Sequence, residues 1–360
     1  MVRIATLQLI AVGALLCLPG CSDEPAPPAD VSANTSAKAE LLQQVAEEPP
    51  SVTAEPPTVA DDGETLWVSP TEGEPLALDY IPAGTQLLLH LRAAELAAHS
   101  EAEKIVAALG PWGEGVIEQL RERTGLELEQ IESITVGVHS TIRGDLRTTL
   151  RIKLAEATPQ PELASSATHV CFAPATGSGR IVVCCHRDDL AELEKQGDEP
   201  TLFPRDMQRL LDRTDRGRAV TLVFPTRFLK TEGHKLLEGA AEGLSEVGAE
   251  FAGDDALAVA LSAHWCEHFF LELQSSVALN RRAHRFGAQV TEWIPEATAK
   301  LQAALDASPV HPYGREVVAR FPAMLQLLAG YSRSSEGDGV SVERCYLPTA
   351  AGHNLLMASE

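Results

Sequence analysis

The chain has 360 residues and a formal net charge of −22, with 44% hydrophobic and 5% aromatic residues. That much negative charge argues against nucleic-acid binding and against electrostatic docking on anionic lipid. Length and apolar content suffice for one large folded body or two small ones, but with so few aromatics Leu, Val and Ala must do most of the packing.

The first 20 residues have the three parts of an export signal: a positive Arg3, an apolar run from Ile4 to Leu18, and a small residue, Gly20. The apolar run is short of the roughly 20 residues a spanning helix needs, and Pro19-Gly20 would end a helix there. Leu18, Gly20 and Cys21 resemble a bacterial lipobox, with Pro19 departing from the small residue usual at its position. The resemblance implies a signal peptide over 1–20 and a lipid attached to Cys21, which becomes the membrane link of the mature chain. Ser22, rather than Asp, resembles the residue found in lipoproteins sent on to an outer membrane.

Residues 21–75 read as an acidic, Pro-rich tether without fixed structure. Ser22 to Tyr80 holds thirteen acidic residues and a single base, Lys38. Such a segment cannot bury enough apolar surface to offset its ordering entropy. Its coil reach is roughly 40 Å. A short helix is expected over Ser36–Glu47. Leu66-Trp67-Val68 is the point where the chain should first touch the folded body.

Residues 76–215 read as a first α+β unit. Pro82-Ala83-Gly84 is a turn and Gln86–Leu91 a strand. Ser100 and Glu103 form a capping box, opening helices over Ser100–Leu109 and Pro111–Arg123, with Gly125 as C-cap. Ile134–His139 and Thr149–Leu154 are strands joined around Gly144-Asp145. His169–Ala173 and Arg180–Cys185 form a hairpin, and Asp188–Lys195 and Pro204–Asp212 are helical.

Residues 216–360 read as a second unit that repeats the first in degenerate form. Ala219–Phe224 is its opening strand, and Ala256–His264 and His268–Leu273 follow as a strand pair. Helical spacing runs over Val277–Leu305, interrupted at Pro295, and again over Tyr313–Leu328. Ser332–Arg333 and Val340–Tyr346 flank Glu336-Gly337-Asp338-Gly339 as a closing hairpin. The expected fold class is α+β: two strand-helix-strand-strand units, mainly antiparallel sheet, and helices on one face. This organisation is similar to a loose set of uncharacterised envelope lipoproteins of planctomycete-type bacteria, whose units open with a phrase like Asp79-Tyr80-Ile81-Pro82-Ala83-Gly84. The resemblance implies a cell-envelope location facing the periplasm or exterior, and no particular activity.

Candidate chemistry is sparse. His264, Cys266 and His268 are all possible zinc ligands, but alternate strand residues sit roughly 6.5–7 Å apart, and a turn between two strands is the favoured reading, with no metal bound. Cys184-Cys185-His186 suggests a thiolate site, against which one cysteine is expected in the core and one exposed. Thr176-Gly177-Ser178-Gly179-Arg180 lacks the Gly-Lys-Ser/Thr ending of a phosphate loop, and no dinucleotide fingerprint occurs, so no cofactor is expected. Arg281, Arg282 and Arg285 form a basic cluster that fits a solvated face or an acidic partner. One or two disulfides are expected in an oxidising compartment; Cys266 with Cys345 is the first candidate pair, and Cys184 should not bond Cys185. The expected function is a non-catalytic, lipid-anchored binding or organising module with the membrane and an envelope protein as partners. The alternative is an envelope hydrolase or metal-dependent enzyme whose site is assembled from dispersed residues.

Overall fold

The computed structural model describes residues 65–102, 117–232, 256–277 and 330–351, apart from a few positions within those ranges, together with 295 and 299. The proposed lipid site Cys21, the arginines 281, 282 and 285, the short helix at 36–47 and most of the four longer helical patterns lie outside the described residues.

The strands are β1 (Thr85–Leu91), β2 (Ile131–Ser140), β3 (Leu146–Leu154), β4 (His169–Phe172), β5 (Ile181–His186), β6 (Val220–Pro225), β7 (Ala256–Trp265), β8 (Phe269–Val277), β9 (Ser332–Gly337) and β10 (Val340–Leu347). They form one 10-stranded sheet in the order β4-β5-β3-β2-β1-β6-β7-β8-β10-β9. Every pairing is antiparallel. With helices α1 (Ala93–Ala98), α2 (Leu190–Gln196) and α3 (Arg205–Leu211), the chain is a mixed α+β fold built on a large antiparallel sheet. Both halves run through the same order, first-second-third-fifth-fourth strand, and they meet where β1 pairs with β6.

Strand register explains the core. A row of directly opposed residues crosses the sheet through Cys184, Leu150, Val136, Leu89, Leu222, Leu261 and Leu273. Side chains alternate along each strand, so this face is apolar on either side of the row as well: Leu87, Val138, Ile152 and Phe269 are all fully buried. On the opposite face, Leu88, Val223, Ala258, Ala260 and Val340 pack under Met207, Leu210 and Leu211 of α3, together with Leu76 and Ile81. A smaller cluster joins Tyr80, Val183, Cys185 and Leu193 of α2.

Local chemistry fixes the turns. Gly144 (φ 79) turns β2 into β3, and Gly125 (φ 68) ends a helical segment with its N–H bonded to the Arg121 carbonyl at 2.7 Å. Asp338 and Gly339, at φ 55 and 74, form the two-residue turn between β9 and β10, in which both residues take positive φ. β8 runs on to Val277, where the helical pattern was expected to begin, because Ser275 and Ser276 continue the ladder to β10. Among the described residues, no helix is long and apolar enough to cross a membrane.

Residues 65–75 pack as a strap against the second half of the sheet. The Trp67 indole donates to the Tyr331 carbonyl at 2.8 Å, Arg344 donates to the Trp67 carbonyl at 2.8 Å, and the Tyr346 hydroxyl donates to the Val68 carbonyl at 2.9 Å. Contact at Leu66-Trp67-Val68 is as the sequence suggested. The strap escapes hydrophobic pattern reading because polar bonds hold most of it.

Candidate functional site

One step along the strands from the apolar row, on the other face, lies a polar row. Arg151, Thr135, His90, Thr221, Ser262, Glu272 and Arg344 are opposed in turn from β3 to β10. All but Arg344 are at most 6% exposed. Part of the row is paired within itself, while His90 Nε2 and Arg151 Nε are buried without a hydrogen-bond partner. His90 Nδ1 meets Thr135 Oγ1 at 3.1 Å, and Thr221 Oγ1 meets Ser262 Oγ at 3.0 Å. Burial holds the His90 imidazole down to about 4, so it is neutral at ordinary pH.

Each end of the row is closed by a charge pair involving the segment before an opening strand. At the β3 end Arg151 donates to Asp79 at 2.9 Å. At the β10 end Glu272, buried, accepts from Arg344 Nε at 2.6 Å, from Gln274 Nε2 at 2.8 Å and from Arg218 Nη2 at 3.5 Å. Arg218 is 2% exposed and lies 4.3 Å over the Phe270 ring, a cation–π contact that offsets part of its desolvation. Burial lowers the Arg218 guanidinium, and the charge of Glu272 works against that.

The strap roofs this end. Arg218 donates to Ser69 Oγ at 2.9 Å, Trp67 stacks edge-on to Tyr346 at 6.2 Å, and Arg333 lies 5.0 Å from the Trp67 ring. Asp215 is the main clasp. Its carboxylate accepts from Thr71 Oγ1 at 2.6 Å, Gly73 N at 2.8 Å and Gly217 N at 2.7 Å. Burial works to raise the Asp215 carboxyl, but these bonds more than offset it and hold it below the usual carboxylate range. The fit needs glycine: a Cβ on Gly73 would stand 2.1 Å from Asp215 Oδ1 and 2.8 Å from Gly217 N. Gly73→Ala is therefore expected to cost about 1–3 kcal/mol and to speed proteolysis within 65–76. Thermal melting and timed digestion check this, and unchanged cleavage would show that the strap seat tolerates the methyl group.

The residues singled out in the sequence are separated by the fold. His264 lies one residue before the end of β7, buried, its Nδ1 3.7 Å from Glu95 Oε1, and burial holds it down to about 4. Cys266 and His268 lie in the turn between β7 and β8, closed by Cys266 N donating to the His268 carbonyl at 2.9 Å. The His268 ring packs edge-on to Tyr346 at 6.1 Å. Among the described residues no group of three or more His, Cys, Asp or Glu is arranged to hold a metal ion.

The cysteines require a correction. Cys266 and Cys345 are not bonded; the disulfide joins Cys171 and Cys184. Cys171 and Cys184 are directly opposed on β4 and β5, whereas Cys345 opposes Leu271 and Cys266 lies off the strand end. Cys184 and Cys185 do not bond each other. Both are buried, because the bridge occupies the side expected to be exposed. Cys185 is in the core cluster and burial pushes its thiol up to about 11, which leaves it inert.

A charged chain that sequence reading passed over spans the outer first half. His139 Nε2 is 3.5 Å from Asp189, which pairs with Arg147 at 2.6 Å; Arg147 also pairs with Asp188 at 2.7 Å, and Asp188 is 3.5 Å from His186. Burial works to raise Asp189, and the bonds from His139 and Arg147 more than offset it. Adjacent Asp188-Asp189 just before a helical run was the available signal. The cluster pins the start of α2 to β2 and β3. It has a base and an orienting carboxylate, but the free thiol in this part of the sheet, Cys185, is buried with a raised pKa, and a reactive nucleophile needs the reverse. Arg281, Arg282, Arg285 and the loop at 176–178 are outside the described residues.

No protein-family model matches the chain, and no curated protein matches it. Among solved structures, crystal form I of TP0453 is similar at 10% identity with a TM-score of 0.35, over 80% of this chain and 98% of that one. A likeness of that size carries no argument about fold or function.

Proposed function

We propose that this chain is a lipid-anchored cell-envelope protein whose body serves as a non-catalytic binding or organising module. The observation that carries the reading is the strap. The residues that follow the acidic Pro-rich stretch enter the body through a built seat, from Trp67 on Tyr346 to Gly73 on Asp215. A seat of that kind suits a chain whose preceding segment runs to an anchor, and the Leu18–Cys21 phrase supplies the anchor chemistry. The pairing of His90 with Thr135 and of Thr221 with Ser262, and the inert Cys185, also support a structural rather than a reactive interior.

The body is read as a duplicated unit with helices mainly on one face. The repeated strand order supports this, as does the position of Leu89 opposite Leu222 at the junction, with equivalent rows running outward on either side.

Fractionation of the native cell tests the reading. Wild-type protein is expected in the membrane fraction and resistant to high salt, since an acyl chain rather than charge holds it. Cys21→Ser should move to the soluble envelope fraction or remain with its signal peptide. Equal membrane retention with a processed N-terminus in both would refute the anchor.

A further inference from the structure

β10 divides its side chains between two environments. Arg344 and Tyr346 face the strap, while Ser341, Glu343 and Cys345 alternate to the apolar face. Glu343 is directly opposed by Leu273 and Ser334, so it stands at the outer end of the leucine row. Its Oε1 is buried without a hydrogen-bond partner. So are the hydroxyls of Ser341, two residues earlier, and of Ser275, directly opposite Ser341. Ser275 and Ser341 are 1% and 2% exposed. Glu343 as a whole is half-buried, so Oε1 is the oxygen that lacks what stabilises its charge.

Among the described residues, the surrounding groups do not supply it. From β8 this face presents Leu271, Leu273 and Ser275. From β9 it presents Ser332, Ser334 and Glu336. On β10 itself, burial pushes the Cys345 thiol up to about 12, so it stays neutral. The hairpin's two arginines alternate to the other face, where Arg344 holds Glu272 and Arg333 lies over Trp67. Burial raises the Glu343 carboxyl to about 7.

We propose that the β9–β10 hairpin is a pH-responsive latch on the strap. With Glu343 protonated, the hairpin stays seated in the sheet and its far face holds Trp67 and Val68. With Glu343 ionised, the hairpin loosens and the strap comes free with it. The two faces of one strand make the coupling: the group that titrates and the groups that grip the strap are neighbours in sequence. An edge hairpin belongs among the parts of a fold that open most readily. The sign is that of an acid raised in the closed state: closure is fully favoured below the ordinary carboxyl range and is lost as pH rises through about 7. This inference is independent of the lipid anchor.

Hydrogen exchange with mass spectrometry on the full chain tests it, at pH 5.5 and 8.5 and corrected for intrinsic exchange. An acid titrating near 4.5 when open and about 7 when buried shifts the closing equilibrium by roughly 30-fold over that interval. Peptides covering 65–70 and 340–347 should lose protection together by up to that factor, while β1 and β2 peptides hold. Glu343→Gln and Glu343→Leu should abolish the pH response. Constant protection in the wild type, the same response in either variant, or a hairpin that responds while the strap does not would each overturn the proposal.

Discussion

Glu272→Ala is expected to destabilise the body by roughly 3–5 kcal/mol, the usual consequence of removing one partner from a buried ion pair. Among the described residues, Glu272 is the one carboxylate bonded to both Arg218 and Arg344, and Gln274 also donates to it. Without it two guanidinium groups of like charge face each other, and Arg218, 2% exposed, is left buried without its carboxylate. The melting temperature should fall and cleavage within the strap should rise together, because Arg218 and Arg344 are also the donors to Ser69 and Trp67. Glu272→Gln keeps the shape and should lie between wild type and Ala. Replacing Glu272, Arg218 and Arg344 together by Leu and Met is expected to be far milder than Glu272→Ala alone, since apolar packing often equals a buried ion cluster. Thermal and urea unfolding of the series checks this. If the triple variant were as unstable as the single one, packing rather than charge would govern the site.

Loss of the Cys171–Cys184 bridge is expected to cost about 3 kcal/mol, the chain-entropy value for a loop of this size. The two cysteines are 13 residues apart and tie β4, the outermost strand of the first half, to β5. β4 is short and joins the sheet through β5, with a single bridge from Ser165 to Val170 on its other side. Cys171→Ser with Cys184→Ser should therefore lower the melting temperature and expose the β4–β5 hairpin first. Added reductant should do the same to the wild type and leave the double variant unchanged. Mapping of unreduced peptides should find 171 linked to 184, with no disulfide at Cys266 or Cys345. A linked Cys266–Cys345 peptide would contradict the structure.

Most strands could be read from the sequence because they are short apolar runs bounded by their own turn chemistry. Gly144, Gly125 and Asp338-Gly339 mark chain reversals that need positive φ, and β2, β3, β6 and β7 fall close to their expected limits. What could not be read depends on register. The polar row takes one residue from each of several strands, so Thr135, Thr221 and Ser262 look like ordinary strand residues until their neighbours are known. The disulfide has the same origin, because opposing Cys171 to Cys184 requires the pairing of β4 with β5. The strap was hidden for another reason: its prolines and acids resemble a tether, and its clasp, Asp215, is 142 residues beyond Gly73. The turn at Cys266–His268 was legible, since two apolar runs flank it too closely for anything longer.

If this body hangs from a lipid at Cys21, the mass of the native N-terminal peptide will show it. Protein extracted from its own envelope and digested should yield a peptide beginning at Cys21 that carries a diacylglyceryl group, with or without a further amide-linked chain. Loss of that mass in Cys21→Ser would agree with the account. An unmodified Cys21, or a mature chain that begins at any other residue, would contradict it.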